Sequence, residues 1–483
     1  MPKTPRCMST QHPDNVHPPF FATNGRMGGE DEIQEAYYAF SYLDCDEQMW
    51  DCEGKEVDNF VVKKLLGRYE FYFNKTQLGE DKFITLRVPN PEVEKAEAKI
   101  LLETLESIPR SFDSAKLFYG KDVAPIFEVI LPMTSSADAI GRVHNYYREF
   151  VAGKQGKPAR NGDISIAEWI GEFKPETINI IPLFERKEDL LACAEITKAY
   201  LADKNLEQQR VFLARSDPAL NYGSLSAVLL NKIALQRLHE LSKDLGTRIE
   251  PIMGAGSAPF RGNLRPETAE HLMKGYPSVQ TFTIQSSFKY DHPAEEVMSA
   301  VKKIRAGSAG APVEIGEEMA LGIIEKCSRE YEVQIKVLAP LINEIAMSVP
   351  ERRQRKLHIG LFGYSRKMGA MQLPRAITFT AALYTLGLPP EILGLNALED
   401  ADFEFLKGAY PNFEKDLEEA VRYLNPKALE LLPEAKFDFL PSVETHAKHK
   451  SITDYVLACV KKGRLPGLEE EVVRAAKIRG FLG

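Results

Sequence analysis

The strongest constraint on this chain is an alternation running through its first 285 residues. Short runs rich in β-branched and aromatic residues are each followed by a stretch with helical apolar spacing. Clear runs occupy residues 82–88 (KFITLRV), 125–131 (PIFEVIL), 177–182 (TINIIP), 210–215 (RVFLAR), 247–252 (TRIEPI) and 279–284 (VQTFTI). Between them, Val93, Ala96, Ile100, Leu101, Leu105 and Ile108 share one helical face, and Leu225, Val228, Leu229, Ile233 and Leu241 share another. Two weaker runs come first, at residues 6–11 (RCMSTQ) and 38–43 (YAFSYL). Counting both predicts eight strands, the number that closes an α/β (β/α)8 TIM-type barrel. An open doubly wound sheet fits the same alternation.

Past residue 293 strand signals nearly vanish and helical runs dominate, at residues 315–346, 373–386, 398–407, 412–424 and 468–478. The pattern predicts a barrel over residues 1–293 and a helical region over 294–483 packed on it. The most apolar long stretch, residues 376–388, is too short for a membrane span. The opening MPKTPRCMSTQHPDN has no apolar run of the kind a secretory leader needs. Six scattered cysteines form no CxxC pair, which points to a reducing cytoplasm. With 61 basic against 69 acidic residues, the net charge of -8 argues against a protein whose main task is neutralising nucleic-acid phosphates.

Barrel enzymes do their chemistry at the C-terminal strand ends, so the residues there carry the functional reading. The first run leads into Thr10-Gln11-His12-Pro13-Asp14, and the third supplies Arg87. Glu185 follows the fifth and Asp217 the sixth. Two carboxylates at neighbouring strand ends, with water and substrate oxygens, suit Mg2+ or Mn2+; either one alone also suits an N-cap or a surface ion pair. The seventh run enters MGAGSAPFRG, where Gly254, Gly256 and Ser257 can bring backbone N–H groups to an anion and Arg261 adds a guanidinium, although a glycine loop after a strand is as often a plain turn. The spacing is neither a dinucleotide fingerprint nor a P-loop. His12 sits in a polar, proline-flanked loop and titrates in the range of a general base, although ordering the loop is an equal alternative. In the helical region, Arg366 and Arg375 flank a loop that either closes over the barrel mouth or leaves them as solvated surface arginines, while Arg352, Arg353, Arg355 and Lys356 read as a charged helix end. His446 and His449 read as part of a solvated loop. These residues predict a metal-dependent barrel enzyme for a small, strongly anionic substrate, and leave the reaction open.

The same segments resemble phosphoenolpyruvate carboxylase of the compact archaeal type. TQHPDN is similar to that family's histidine motif, IIPLFERKEDL to its metal-glutamate motif and FLARSDPALNYG to its metal-aspartate motif. IEPIMGAGSAPFRGNLRP resembles its glycine–arginine loop, and GYSRKMGAMQLPRAI its later arginine pair. The resemblance implies oxaloacetate and phosphate formed from phosphoenolpyruvate and bicarbonate, through carboxyphosphate and a metal-stabilised enolate. It gives Glu185 and Asp217 the metal, His12 the proton of carboxyphosphate, Arg87 and Arg375 the phosphoryl group, and Arg261 and Arg366 the bicarbonate. It further implies a homotetramer, and a C-terminal glycine, here Gly483, that helps complete the site. The longer bacterial and plant form has basic residues where Ala255 and Leu220 stand here, with Arg215 or Arg265 as candidate substitutes. Another pyruvate-enolate lyase or mutase, and a non-catalytic phosphoenolpyruvate sensor, are the alternatives.

Overall fold

The computed structural model describes residues 4–52, 58–354, 366–368, 371–463 and 467–483, with the side chains of residues 366–368 and 371 outside that description. Eight parallel strands close in chain order: β1 (Cys7–Ser9), β2 (Glu47–Asp51), β3 (Phe83–Arg87), β4 (Glu128–Leu131), β5 (Asn179–Phe184), β6 (Gln208–Ala214), β7 (Arg248–Gly254) and β8 (Thr281–Ile284). β8 pairs back onto β1, with Met8 opposite Thr283. The expected (β/α)8 barrel is therefore present, and the open sheet is excluded.

Alternation along each strand sorts side chains into two sets. Trp50, Leu86 and Val129 face one apolar layer under the helices, and Leu213, Met253 and Phe282 face another. The opposite set, Met8, Met49, Ile130, Ile181, Leu183, Phe212, Ala214 and Ile252, forms its own plug inside the barrel. Below the plug lies a buried ionic layer. Arg210 donates to Glu47 at 2.7 and 2.8 Å, to Glu128 at 2.9 Å and to the Thr281 hydroxyl at 3.2 Å. Glu47 also accepts from the Thr85 hydroxyl. Above the plug the barrel opens into a cavity.

The second strand is not where the sequence pattern put it. Residues 38–43 belong to the helix Glu30–Ser41 and the turn after it. Glu30, Asp31 and Glu32 favour that helix's positive N-terminal end. Ile33, Ala36, Ala39 and Phe40 make its buried face, and Tyr38 stacks on Tyr42 one turn later, with centroids 5.3 Å apart. The true strand, EQMWD, looks polar because Glu47 and Asp51 turn into the barrel, where Arg210 and Arg87 meet them.

After residue 293 the described chain is mostly helical, with one small hairpin of β9 (Arg366–Met368) and β10 (Met371–Leu373) that the sequence pattern did not show. Its longest helix, Glu317–Ala346, and the apolar helix Ala376–Thr385 share one continuous core with the barrel's outer layer. Among the described residues no single helix is long and apolar enough to cross a membrane. Two expectations are corrected. His449 is not in a solvated loop but in the helix Ala447–Lys461, where it is buried and meets Arg479 at 3.0 Å, whereas His446 is exposed at the end of the preceding loop and caps that helix. Arg352 and Arg353 are no helix end, because the long helix has already stopped before Pro350; Arg353 is buried against Glu32 and Glu35. Arg355 and Lys356 lie outside the described residues.

Candidate active site at the barrel mouth

A cavity of about 740 Å³ occupies the C-terminal end of the barrel. His12, Arg87, Glu185, Asp217, Gly254, Arg261 and Arg375 all line it. The lining holds seven arginines (26, 87, 215, 261, 352, 353 and 375) against three carboxylates, Glu185, Asp217 and Glu351. Four of the seven also meet carboxylates: Arg26 with Glu351, Arg87 with Asp51, Arg261 with Asp14, and Arg353 with Glu32 and Glu35. What the cleft offers an entering anion is therefore a set of oriented guanidinium donors rather than a simple surplus of charge.

Each side chain arrives by a short route from its strand. His12 stands three residues past β1, its Nδ1 3.0 Å from the Thr10 hydroxyl and its carbonyl accepting from Ser286 N–H at 3.2 Å. Arg87 ends β3 and is oriented by Asp51, whose two oxygens take its Nε at 3.0 Å and Nη2 at 3.3 Å. Glu185 follows β5 and is buried; Asp217 lies in the first turn of the helix Ser216–Tyr222, directly after β6. Their two carboxylates share the lining of one cavity.

The loop after β7 is built around Arg261, whose guanidinium is 2% exposed. It donates to Gln285 at 2.6 Å, to the Gly483 carbonyl at 2.8 Å, to the Ser216 hydroxyl at 3.1 Å and to Asp14 at 3.3 Å. Burial pushes the Asp14 carboxyl up from its usual range, while Arg261 and the N–H groups of Ser287 and Ser257 work the other way. Gly256 and Ser257 do not line the described cavity. The Gly256 N–H goes to the Arg261 carbonyl at 2.8 Å, and the Ser257 N–H to Asp14 at 3.3 Å. Gly256 is where a side chain would collide: a Cβ there would lie 2.8 Å from the Arg261 guanidinium carbon.

The helical region closes the other side. Arg375 is the N-cap residue of the helix Ala376–Thr385 and lines the cavity. Arg366 opens β9, and its side chain lies outside the described residues. Ala255 and Leu220 are closed apolar positions, each about 1% exposed or less. Arg265 is spent on Glu419, Glu267 and Asn263 and does not reach the cavity. Arg215 lines the cavity and donates to Ser224 at 3.2 Å. Sequence reasoning passed over Arg26, Gln285, Arg352 and Arg353 as lining residues. Pro350 was the signal available for the last two, since it ends the helix before them.

A closed parallel barrel with an arginine-rich mouth and two carboxylates at adjacent strand ends defines a barrel enzyme for a small anionic substrate. A family model described as phosphoenolpyruvate carboxylase matches residues 4–483. Phosphoenolpyruvate carboxylase of Methanothermobacter thermautotrophicus is 56% identical over 483 residues, covering 100% of both chains. That of Methanospirillum hungatei is 54% identical at 100% coverage of both. That of Pyrococcus abyssi is 51% identical, covering 99% of this chain and all of its own. The chain belongs to the phosphoenolpyruvate carboxylase family, and the expectation drawn from its five motifs is borne out. It is an enzyme of the carboxy-lyase class.

Proposed function

We propose that this mouth forms oxaloacetate and phosphate from phosphoenolpyruvate and bicarbonate, with the side chains acting as follows. The observation that carries the reading is convergence: residues from separate sequence motifs, His12, Glu185, Asp217, Arg261 and Arg375, line one cavity with Arg87.

Glu185 and Asp217 form the donor set of a hard divalent cation, two carboxylate groups on neighbouring strand ends with open cavity beside them. They would hold Mg2+ or Mn2+, which when bound supplies a Lewis acid for the substrate's carboxylate and enol oxygens. Arg87 and Arg375 would hold the phosphoryl group, and Arg261 and Arg366 the bicarbonate. A bicarbonate oxygen attacks phosphorus and the bond from phosphorus to the enol oxygen breaks, leaving carboxyphosphate and the enolate of pyruvate. Guanidinium groups preset where that charge develops lower the barrier without reorganising. His12 takes the carboxyphosphate proton, carboxyphosphate splits into CO2 and phosphate, and the enolate carbon bonds CO2. Gly254 would let the substrate approach the β7 backbone, while Gly256 and Ser257 serve the site by shaping the loop under Arg261. Residues 294–483 act as a cap that brings Arg375 and Arg366 to the mouth and keeps water from the enolate.

The test is an assay coupling oxaloacetate to NADH oxidation, with Mg2+ and bicarbonate present. Metal- and bicarbonate-dependent turnover that collapses in His12→Asn is expected; no oxaloacetate under any metal would overturn the reading. We further read the working form as a cytoplasmic homotetramer, supported by the family resemblance and tested by light scattering on the purified chain.

A further inference from the structure

Beside the mouth lies a charged cluster that the reaction above does not use. Glu35, from the helix Glu30–Ser41, is fully buried and takes four donors. Arg353 reaches both its oxygens at 2.9–3.0 Å, Lys289 bonds it at 2.9 Å, the Tyr290 hydroxyl at 2.8 Å and the Gln11 amide at 3.4 Å. Arg353 also bonds Glu32 at 2.9 Å, so two buried cations balance two buried carboxylates. Burial opposes the Glu35 charge, yet Arg353 and Lys289 hold its carboxyl far below the usual range.

Bonds from the cluster run toward the site. Lys289 donates to the Ser9 hydroxyl at 3.0 Å and to the Thr10 carbonyl at 2.9 Å, and the Thr10 hydroxyl is the 3.0 Å neighbour of His12 Nδ1. Gln11, adjacent to His12, bridges two ways: its amide reaches Glu35, and its carbonyl accepts from Asp51 N–H at 2.9 Å. Asp51 is the residue that orients Arg87. Arg353 belongs to the segment of the cap that lines the cavity, and its neighbour Arg352 donates to the carbonyls of Asn15 and Val16 at 3.2 and 2.6 Å, just beyond His12.

We propose that Glu35 is a positioning residue whose carboxylate, through Gln11 and Lys289, sets His12 relative to Arg87 and ties both to the cap. The inference rests on the roles given above to His12 and Arg87. Burying four charges is a poor route to stability, since apolar groups of similar volume serve as well or better. What the ionic cluster adds is direction: each bond fixes an angle that an apolar plug leaves free. Placement of this kind matters for a proton transfer, where a misplacement of about 1 Å costs up to roughly a hundredfold in rate. Glu185 and Asp217, assigned above to the metal, follow β5 and β6, whereas the residues the cluster reaches, Ser9, Thr10 and Asp51, lie on or just after β1 and β2.

Two variants of the full chain test this. Gln11→Met cuts the bridge and leaves all four charges in place; the double variant Glu35→Leu with Lys289→Met removes the hub and keeps the charge balanced. Expected for Gln11→Met are a thermal midpoint close to the parent's, a kcat lowered about tenfold, an unchanged Mg2+ activation constant, a shifted His12 limb in the pH–rate profile, and more pyruvate per oxaloacetate as unquenched enolate takes a proton. The double variant is expected to go further the same way. A folded Gln11→Met with the parent's kcat, pH profile and product ratio overturns the proposal, whatever the double variant does. A parent that makes no oxaloacetate, or a His12→Asn variant as active as the parent, overturns the catalytic reading itself and this one with it.

Discussion

The floor and the mouth of the barrel use the same side chains to opposite ends. At the floor, Arg210 is matched by acids: Glu47 and Glu128 hold it within 2.7–2.9 Å, and all three groups are buried. At the mouth, seven arginines share a cavity with three carboxylates, two of them assigned above to a cation. Between the two layers stands only the apolar plug of Met8, Met49, Phe212 and their neighbours. A guanidinium enclosed by acids builds a closed end; guanidinium groups held from behind by acids such as Asp51 and Asp14 and opening onto a cavity build a receptor for anions. The net charge of -8 over the whole chain hides this, because it sums the floor, the mouth and a solvated surface.

The contrast is open to direct attack, beginning with its largest consequence. Asp217→Asn should lower kcat by about a thousandfold or more, several kcal/mol of lost transition-state stabilisation, with little change in thermal midpoint. Chelating the metal from the parent should have the same effect, and added Mg2+ should restore the parent but not the variant. The floor should answer in the opposite coin: Arg210→Met leaves Glu47 and Glu128 facing each other in the dark of the barrel and should cost about 3–5 kcal/mol of stability. Turnover per folded molecule, measured well below its melting range, should stay near the parent's. If Arg210→Met melts normally but loses catalysis, floor and mouth are not separate layers.

A third test probes what braces the rim. Glu391 accepts from the Phe260 N–H at 2.5 Å and from the Tyr384 hydroxyl at 2.7 Å, and so holds the loop that carries Arg261. Burial pushes its carboxyl up to about 7, against the bonds from Tyr384 and Phe260 and the nearby charge of Arg215. Unfolded, it would lose its proton near 4.5, the ordinary value. Between those two values the folded chain keeps a proton that the unfolded chain releases. Glu391 therefore contributes stability that is whole below about 4.5 and is lost as pH rises to about 7. The amount is on the order of 3 kcal/mol. Melting curves across that window should flatten in Glu391→Gln; equal slopes for parent and variant would contradict the assignment.

How much of this was legible beforehand follows from where each residue's partner lies in the chain. Strands such as RVFLAR and VQTFTI announce themselves, because their apolar residues meet a core regardless of sequence distance. EQMWD did not, because its ends are charged for the sake of Arg210, 163 residues away from Glu47, and of Arg87. The aromatic run at 38–43 misled for the converse reason: aromatic residues one helical turn apart stack on a helix as readily as they line a strand. Site residues at strand ends were readable since the barrel puts every strand end in one place. Arg353 was not, since nothing local says that its two carboxylates are 318 and 321 residues upstream.

The smallest predicted effect is the sharpest on the rim itself. Gly256 needs no unusual backbone angle, so an alanine there is not strained in its own right. Its methyl would nevertheless sit 2.8 Å from the Cζ and Nη1 of Arg261 and 3.1 Å from the Gln285 side-chain oxygen. A free arginine would swing aside at little cost. This one is pinned by Gln285, Ser216, Asp14 and the Gly483 carbonyl, so it yields by a fraction of an ångström and takes its hydrogen bonds with it. Gly256→Ala should therefore lower kcat about tenfold and raise KM for bicarbonate, the substrate assigned to Arg261, by a similar factor, through misorientation rather than unfolding. Steady-state kinetics beside a melting curve decide it. A lowered midpoint with unchanged kinetics would mean that this part of the rim behaves as scaffold, like the floor.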